Sequence, residues 1–323
     1  MINFTLSFLG IIFLSLIIRP PVGDFLYINS LIGIIIGPIY YFLIAHWIGE
    51  FSIQSLRKII NVVIFIHLIF FLLQFIWYIF SGDVLDFLSP VTGENSRNLN
   101  NMGFIRASGL FNEPMVYSFF MFTLLLIKHL ILRAKHDLME VIVLTTIILS
   151  FSSWGIVSVV FYVLSSVRFN LKNYTFLFVL VTLIVFLFFY FDLNSYYEFI
   201  FENRFSNLTE DSSFEYRYAI TYDIFIHDIG MLVFGNGLAV PGKNGILDLS
   251  LLLQIFTSLG LFMGSLFLCL IFIRLLFLNR GLNFIVLFLL LTMGDLRIQQ
   301  LFFWFLLAFF LQNHEHKEYM HVE

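Results

Sequence analysis

Long apolar runs separated by short polar or basic breaks set the pattern of this chain. At 2–18, 25–47, 60–80, 114–132, 174–191 and 249–277 the sequence is dominated by Leu, Ile, Val and Phe. Runs of this kind match the roughly 17–25 apolar residues that carry an α-helix across a bilayer. Two further stretches do not suit a single upright helix. Residues 139–167 are interrupted by Ser150, Ser152 and Ser153 beside Gly155, and residues 283–312 by Gly294-Asp295-Leu296-Arg297. Each is expected to fold back on itself as a hairpin of two short helices.

Charge arbitrates the topology, because Lys and Arg in short loops stay cytoplasmic. The basic connections are Arg57-Lys58, Lys128 with Arg133 and Lys135, Arg168 with Lys172, and Arg274 with Arg280. Folding both ambiguous stretches as hairpins places all four connections on one side, with Arg19 the exception. The expectation is an all-α polytopic membrane protein with about ten spans, both termini cytoplasmic, and two large periplasmic loops near 81–113 and 192–248. The run Ile2–Ile18 has no basic residue before it and no A-x-A site, and reads as a retained span. No internal repeat or linker divides the chain, which reads as one membrane-embedded domain, 1–323, with a short cytoplasmic tail at 313–323.

Composition agrees with this pattern and excludes other classes. Of 323 residues, 60% are hydrophobic and 12% charged, against about 25% charged in soluble domains, and mean hydropathy is +0.96. The net charge of −4 without a basic block argues against nucleic acid as a partner. With Cys269 the only cysteine, an intramolecular disulfide or a thiolate metal site is impossible. The excess of Phe and Tyr is expected to be mainly lipid-facing. His314, His316 and His321 read as a solvated tail.

Two segments carry candidate chemistry. The first is Arg106-Ala-Ser-Gly-Leu-Phe-Asn-Glu-Pro114, which runs directly into the span 114–132. Proline suits the first turn of a helix, and Asn112 or Glu113 is placed to cap it. With the N-terminus aimed outward, its N–H groups and the charge of Arg106 would suit a phosphate; a plainly capped helix with a surface arginine is the simpler alternative. The second is Glu215-Tyr-Arg217, followed by a stretch in which Arg217, Thr221 and Asp228 fall near one helical face, and then by Phe234-Gly-Asn-Gly237. It reads as an interfacial helix ended by a glycine turn, or as an ordinary amphipathic surface helix. Asp248 stands just before the span 249–277, which contains Gly260.

The series Arg-x-Ser-Gly-x-x-x-Glu-Pro before a span, an outer-loop Arg, an amphipathic stretch, Gly-x-Gly and a span containing Gly resembles the O-antigen polymerase and ligase families. The Ser150–Gly155 turn between short spans is similar to theirs as well. The resemblance covers roughly residues 100–265. It implies a bacterial inner-membrane glycosyltransferase acting at the periplasmic face on undecaprenyl diphosphate-linked sugars. Ligases of this kind carry a histidine shortly after the Gly-x-Gly turn. Here Asp248 occupies that region and His227 precedes the turn, which favours the polymerase over the ligase.

On this reading the growing glycan leaves its carrier for a hydroxyl of an incoming lipid-linked repeat unit. Arg106 and Arg217, then Arg204, are the expected diphosphate ligands, because guanidinium groups pair with phosphate oxygens through two hydrogen bonds. Glu113 and Asp248 are the candidate bases for the attacking hydroxyl. No cofactor and no metal is expected, and a chain-length regulator in the membrane is a possible partner. The competing class is a transporter or flippase, which would gather polar residues or broken helices near the bilayer midplane.

Overall fold

A backbone in lipid must satisfy its own hydrogen bonds, which restricts apolar runs like these to helices or closed barrels. The structure is a computed structural model and describes residues 2–18, 25–92, 96, 100–101, 104–135, 137–166, 229–235, 237, 250–277 and 300–311. These are mostly helical. Three of the described helices are long and apolar enough to cross a membrane: Ile32–Glu50, Ile53–Ser81 and Leu251–Arg274. Shorter apolar helices cover Asn3–Ile18, Pro114–His129, Leu138–Leu149 and Leu301–Leu311. The expected span 174–191, nearly all of the loop 192–248, the Gly294–Arg297 break and the histidines of the tail lie outside the described residues.

The chain divides into two compact units, Ile53–Asn207 and the combination of Met1–Ser52 with Leu208–Glu323. The described helices of the second unit are α1 (Ile2–Ile18), α2 (Phe25–Glu50), α8 (Ile229–Phe234), α9 (Leu251–Phe277) and α10 (Leu301–Leu311). Here α2 packs on α1 and α10, and α9 on α1, α8 and α10. An aromatic cluster fills the space between them. Phe8 of α1 meets Phe267 of α9 at 4.8 Å and Trp304 of α10 at 5.4 Å between ring centroids. Trp304 is fully buried, and its indole lies where a Cβ on Gly37 of α2 would sit. Part of the aromatic excess is therefore internal packing, while Phe13, Phe65 and Phe80 face outward as lipid-facing residues would.

The unit Ile53–Asn207 contains α3 (Ile53–Ser81), α4 (Ser89–Thr92), the two-residue strands β1 (Asn100–Asn101) and β2 (Phe104–Ile105), α5 (Pro114–Leu126), α6 (Leu138–Leu149) and α7 (Ser153–Ser166). The strands form one small antiparallel ladder, with Asn100 opposite Ile105. The stretch 139–167 does fold back, as α6 and α7. Asp137 caps α6 by accepting from the Glu140 N–H at 3.0 Å, and Ser150 ends it. Phe151 then turns through a positive φ of 51°, and the Ser152 hydroxyl accepts from the Gly155 N–H at 3.3 Å. At 1.5 Å per residue these helices are about 20 Å long, short of the roughly 30 Å hydrocarbon core.

Helices α3, α5, α6 and α7 run alternately up and down, which the contacts at the two ends make plain. At one end, α5 passes into a π-helical turn over Ile127–Ile131, closed by the Leu132 N–H on the Ile127 carbonyl at 3.0 Å. Arg57, from the start of α3, donates to the carbonyls of Leu132 and Arg133. Lys128, only 1% exposed, pairs with Asp137. Buried Glu140 receives the Tyr162 hydroxyl at 2.8 Å and lies 3.1 Å from Nε2 of His129. At the opposite end Gln74 of α3 meets Ser108 and Gly109, and Ser118 of α5 meets Ser150. The residues Arg57, Lys58, Lys128, Arg133 and Lys135 thus gather at one end and the Arg106–Pro114 segment at the other.

Candidate functional site

The segment between Arg106 and Pro114 is a built turn rather than a loose loop. The Phe111 N–H donates to the Ser108 carbonyl at 3.1 Å, and the Ser108 hydroxyl donates to the Phe111 carbonyl at 2.7 Å. Gly109 carries the turn at a φ of +61°, and a Cβ there would stand 3.3 Å from the Phe71 nitrogen of α3. Glycine is favoured on both counts, since the left-handed conformation and the close approach to α3 each penalise a side chain. Phe111 stacks on His67 at 4.9 Å, and Tyr117 on Phe71 at 4.5 Å. Arg106 enters this turn almost fully buried, with 6% of its surface exposed. The surface-arginine alternative is therefore corrected: the guanidinium is inside the bundle end.

Helix α5 starts at Pro114, where the sequence places it, and Glu113 takes the cap position in extended conformation (φ −144°). Its carboxylate makes no capping hydrogen bond to the first turn, and Asn112 is exposed. The Tyr117 N–H donates to the Glu113 carbonyl at 3.2 Å as the first helical bond. Below this point a polar seam enters the bundle. The Ser118 hydroxyl donates to the Pro114 carbonyl at 2.9 Å and meets the Ser150 hydroxyl at 2.7 Å, while the Tyr117 hydroxyl donates to Thr146 at 2.8 Å. Gly155 lets α7 close on Ser118, whose hydroxyl would lie 2.8 Å from a Cβ there. The Ser150–Gly155 turn and the start of α5 thus form one contiguous assembly.

The loop that leads to this segment is organised by Asp86. Its carboxylate accepts from the Ser96 N–H and hydroxyl, both at 2.7 Å, and from the N–H groups of Leu88 at 2.9 Å and Ser89 at 3.3 Å. Desolvation alone would raise its pKa, but the hydrogen bonds from Ser96, Leu88 and Ser89 outweigh it and hold the group below the ordinary carboxylate value. A lowered folded-state pKa means a contribution present in full above about pH 4 and lost as pH falls below that. Asp86→Ala is accordingly expected to speed proteolysis of the 81–113 loop at neutral pH to the rate that the wild type shows only in acid. Equal cleavage of both proteins at every pH would contradict this role.

In the other unit the glycines of the second segment meet the span that follows. Gly260 interrupts α9 with φ 75° and ψ 172°, and Gly235 and Gly237 also have positive φ, 76° and 96°. The Gly237 N–H donates to the Ser258 carbonyl at 3.1 Å, which supplies a partner to the backbone that the break releases. A Cβ at Gly235 would overlap the Ser258 carbonyl, and one at Gly260 the Val233 carbonyl and the Gly235 nitrogen. Two strained terms would add in either alanine variant: an L-residue in a left-handed conformation, about 1–2 kcal/mol, and overpacking against backbone, about 1–3 kcal/mol. Gly235→Ala and Gly260→Ala are each expected to lower the unfolding temperature in detergent. Retention of wild-type stability by both would show that the turn does not sit in the break.

Of the residues singled out from sequence, Arg106 and Glu113 share this segment, and Gly235, Gly237 and Gly260 come together in the second unit. Arg204, Arg217 and Asp248 lie outside the described residues, as do Asp228 and His227. Gln74, Ser118 and the Glu140 group were not singled out. Gln74 left one trace, an uncharged polar residue in the apolar run 60–80. The described helices are those of an all-α membrane protein. No family model, no curated protein and no solved structure matches the chain.

Proposed function

We propose that the chain is a bacterial inner-membrane glycosyltransferase that polymerises a surface polysaccharide of the O-antigen kind from undecaprenyl diphosphate-linked repeat units. In this reading there are about ten spans, the Arg106–Pro114 end faces the periplasm and the basic end faces the cytoplasm. The distribution of Arg57, Lys58, Lys128, Arg133 and Lys135 at the opposite end supports that orientation. The observation that carries the reading is the buried Arg106 in a fixed turn leading to a helix start whose cap side chain leaves the first turn alone. A guanidinium shielded from water interacts more strongly with a diphosphate than a solvated one does.

In the proposed reaction a hydroxyl oxygen of the incoming unit attacks the anomeric carbon of the donor glycan. The bond from that carbon to the diphosphate oxygen breaks, and undecaprenyl diphosphate leaves with the electron pair. The hydroxyl proton passes to Glu113 or Asp248. Arg106, Arg217 and Arg204 neutralise the charge that develops on the leaving oxygens, and a membrane chain-length regulator would set product size. The test is a gel profile of surface polysaccharide from cells carrying wild-type or variant protein. Arg217→Ala is expected to remove the ladder but retain one repeat unit, with the protein still in the membrane. Arg217→Lys should not restore it, because an ammonium lacks the planar two-donor fork. Loss of every repeat-bearing lipid would instead indicate a ligase or flippase.

One observation favours the transporter alternative. The break at Gly260 interrupts a helix long enough to span the membrane, a feature of transport sites. Here the Gly235–Gly237 turn docks against the break through backbone contacts, which favours a structural joint over a substrate cavity.

A further inference from the structure

We propose that Gln74 is the positioning residue of the diphosphate loop, holding Arg106 and the start of α5 in binding geometry from the neighbouring helix. The inference rests on the diphosphate reading of that loop and names a residue the reading does not contain. Gln74 is fully buried in the C-terminal third of α3, about two turns before its end. Its side-chain carbonyl accepts from two consecutive backbone N–H groups, Ser108 at 2.8 Å and Gly109 at 2.9 Å, and its amide nitrogen donates to the Leu85 carbonyl at 2.6 Å. Two N–H groups converge on one atom and a carbonyl faces the other, so the network fixes which end of the amide is oxygen.

The placement explains the choice of residue. Ser108 is two positions after Arg106, and Gly109 is the left-handed residue that brings the turn against α3. A single planar group therefore ties three backbone points, 85, 108 and 109, to α3. Leucine would fill the space but leave two buried N–H groups without their acceptor. Glutamate would keep an oxygen for the two N–H groups but set its other oxygen against the Leu85 carbonyl and bury a charge. Asparagine, one methylene shorter, cannot hold the same three contacts without moving the turn. Misplacement of a charged group by about 1 Å can lower a rate on the order of 100-fold.

The test uses full-length protein in lipid nanodiscs with undecaprenyl diphosphate as the probe, and two readouts. Hydrogen exchange at the Ser108 and Gly109 amides reads the clamp itself, whatever the protein does. Affinity for the probe reads its consequence. Gln74→Leu is expected to speed exchange at those two amides and weaken binding at least about tenfold, a loss of about 1.4 kcal/mol. Gln74→Glu and Gln74→Asn should each restore little of the affinity, the first because it buries a carboxylate against the Leu85 carbonyl and beside an anionic ligand, the second because it is too short. Gly109→Ala, which disturbs the turn from its own side and leaves the Gln74 side chain in place, should weaken binding in the same way, so that misfolding of one variant does not decide the matter. Unchanged exchange in Gln74→Leu would overturn the clamp. Faster exchange with wild-type affinity would overturn its positioning role. Wild-type protein that exchanges slowly at both amides yet binds no undecaprenyl diphosphate would sink the diphosphate reading, and this inference with it, while leaving the clamp as architecture.

Discussion

Arg106→Ala is expected to abolish glycan lengthening and to weaken undecaprenyl diphosphate binding while the protein still accumulates in the membrane. Two contributions disappear together. On the proposed reading the guanidinium would give directional, charge-assisted hydrogen bonds to phosphate oxygens, and its charge would add to the positive end of the α5 dipole. The dipole itself favours an anion at the helix N-terminus by about 0.3–1 kcal/mol when exposed and up to ~2 kcal/mol when partly buried, a contribution that stays in Arg106→Ala while that of the guanidinium is lost. Removal of one preorganised donor from a transition-state site lowers turnover by about 10²–10³. Asn112→Ala should be close to neutral, because Asn112 is exposed and Glu113 holds the cap position. Glu113 makes no capping bond, so loss of a cap cannot account for inactivity in Glu113→Gln. An inactive Gln variant that still binds the lipid would support Glu113 as the base. Wild-type affinity and a normal ladder in Arg106→Ala would remove this segment from the mechanism.

The largest stability effect is expected at the basic end, in Glu140→Ala. Glu140 is fully buried and holds the Tyr162 hydroxyl at 2.8 Å beside His129. Removing its side chain takes a buried acceptor from the Tyr162 hydroxyl and leaves a cavity; an unsatisfied buried polar group costs about 1–3 kcal/mol, and the cavity adds to that. Lys128→Met should cost less although Lys128 is equally buried. Its partner Asp137 is 43% exposed and can turn to water, while methionine keeps the apolar stem in place. Tyr162→Phe should fall between neutral and Glu140→Ala, at about 0.5–1.5 kcal/mol for the one hydrogen bond lost. Thermal unfolding in detergent orders the three variants. Glu140→Ala as stable as the wild type, or less damaging than Lys128→Met, would contradict the role given to burial.

Local signals made part of this architecture legible. Pro114 marks the start of α5, and the serines beside Gly155 mark the hairpin, because proline and helix-breaking residues act on the turn in which they occur. Gly260 was legible as a glycine in a span, but its left-handed break depends on the Gly235–Gly237 turn, which is distant in sequence. Gln74 and Glu140 were obscured for the same reason. Each is one polar residue in an apolar run, and its partners come from another helix or loop. Lys128 was legible as one of a basic group, while its burial and its pairing with Asp137 follow from the π-helical end of α5. The grouping of Met1–Ser52 with Leu208–Glu323 rests on contacts between the two ends of the chain, which no local pattern encodes.

The most direct measurement reconstitutes purified protein in liposomes with a single undecaprenyl diphosphate-linked repeat unit and follows both its length and its leaflet. The expected result is a series of longer lipid-linked glycans, with one undecaprenyl diphosphate released for each bond formed and none formed by Arg106→Ala. Movement of the substrate to the opposite leaflet at unchanged length would contradict the transferase and identify a transporter.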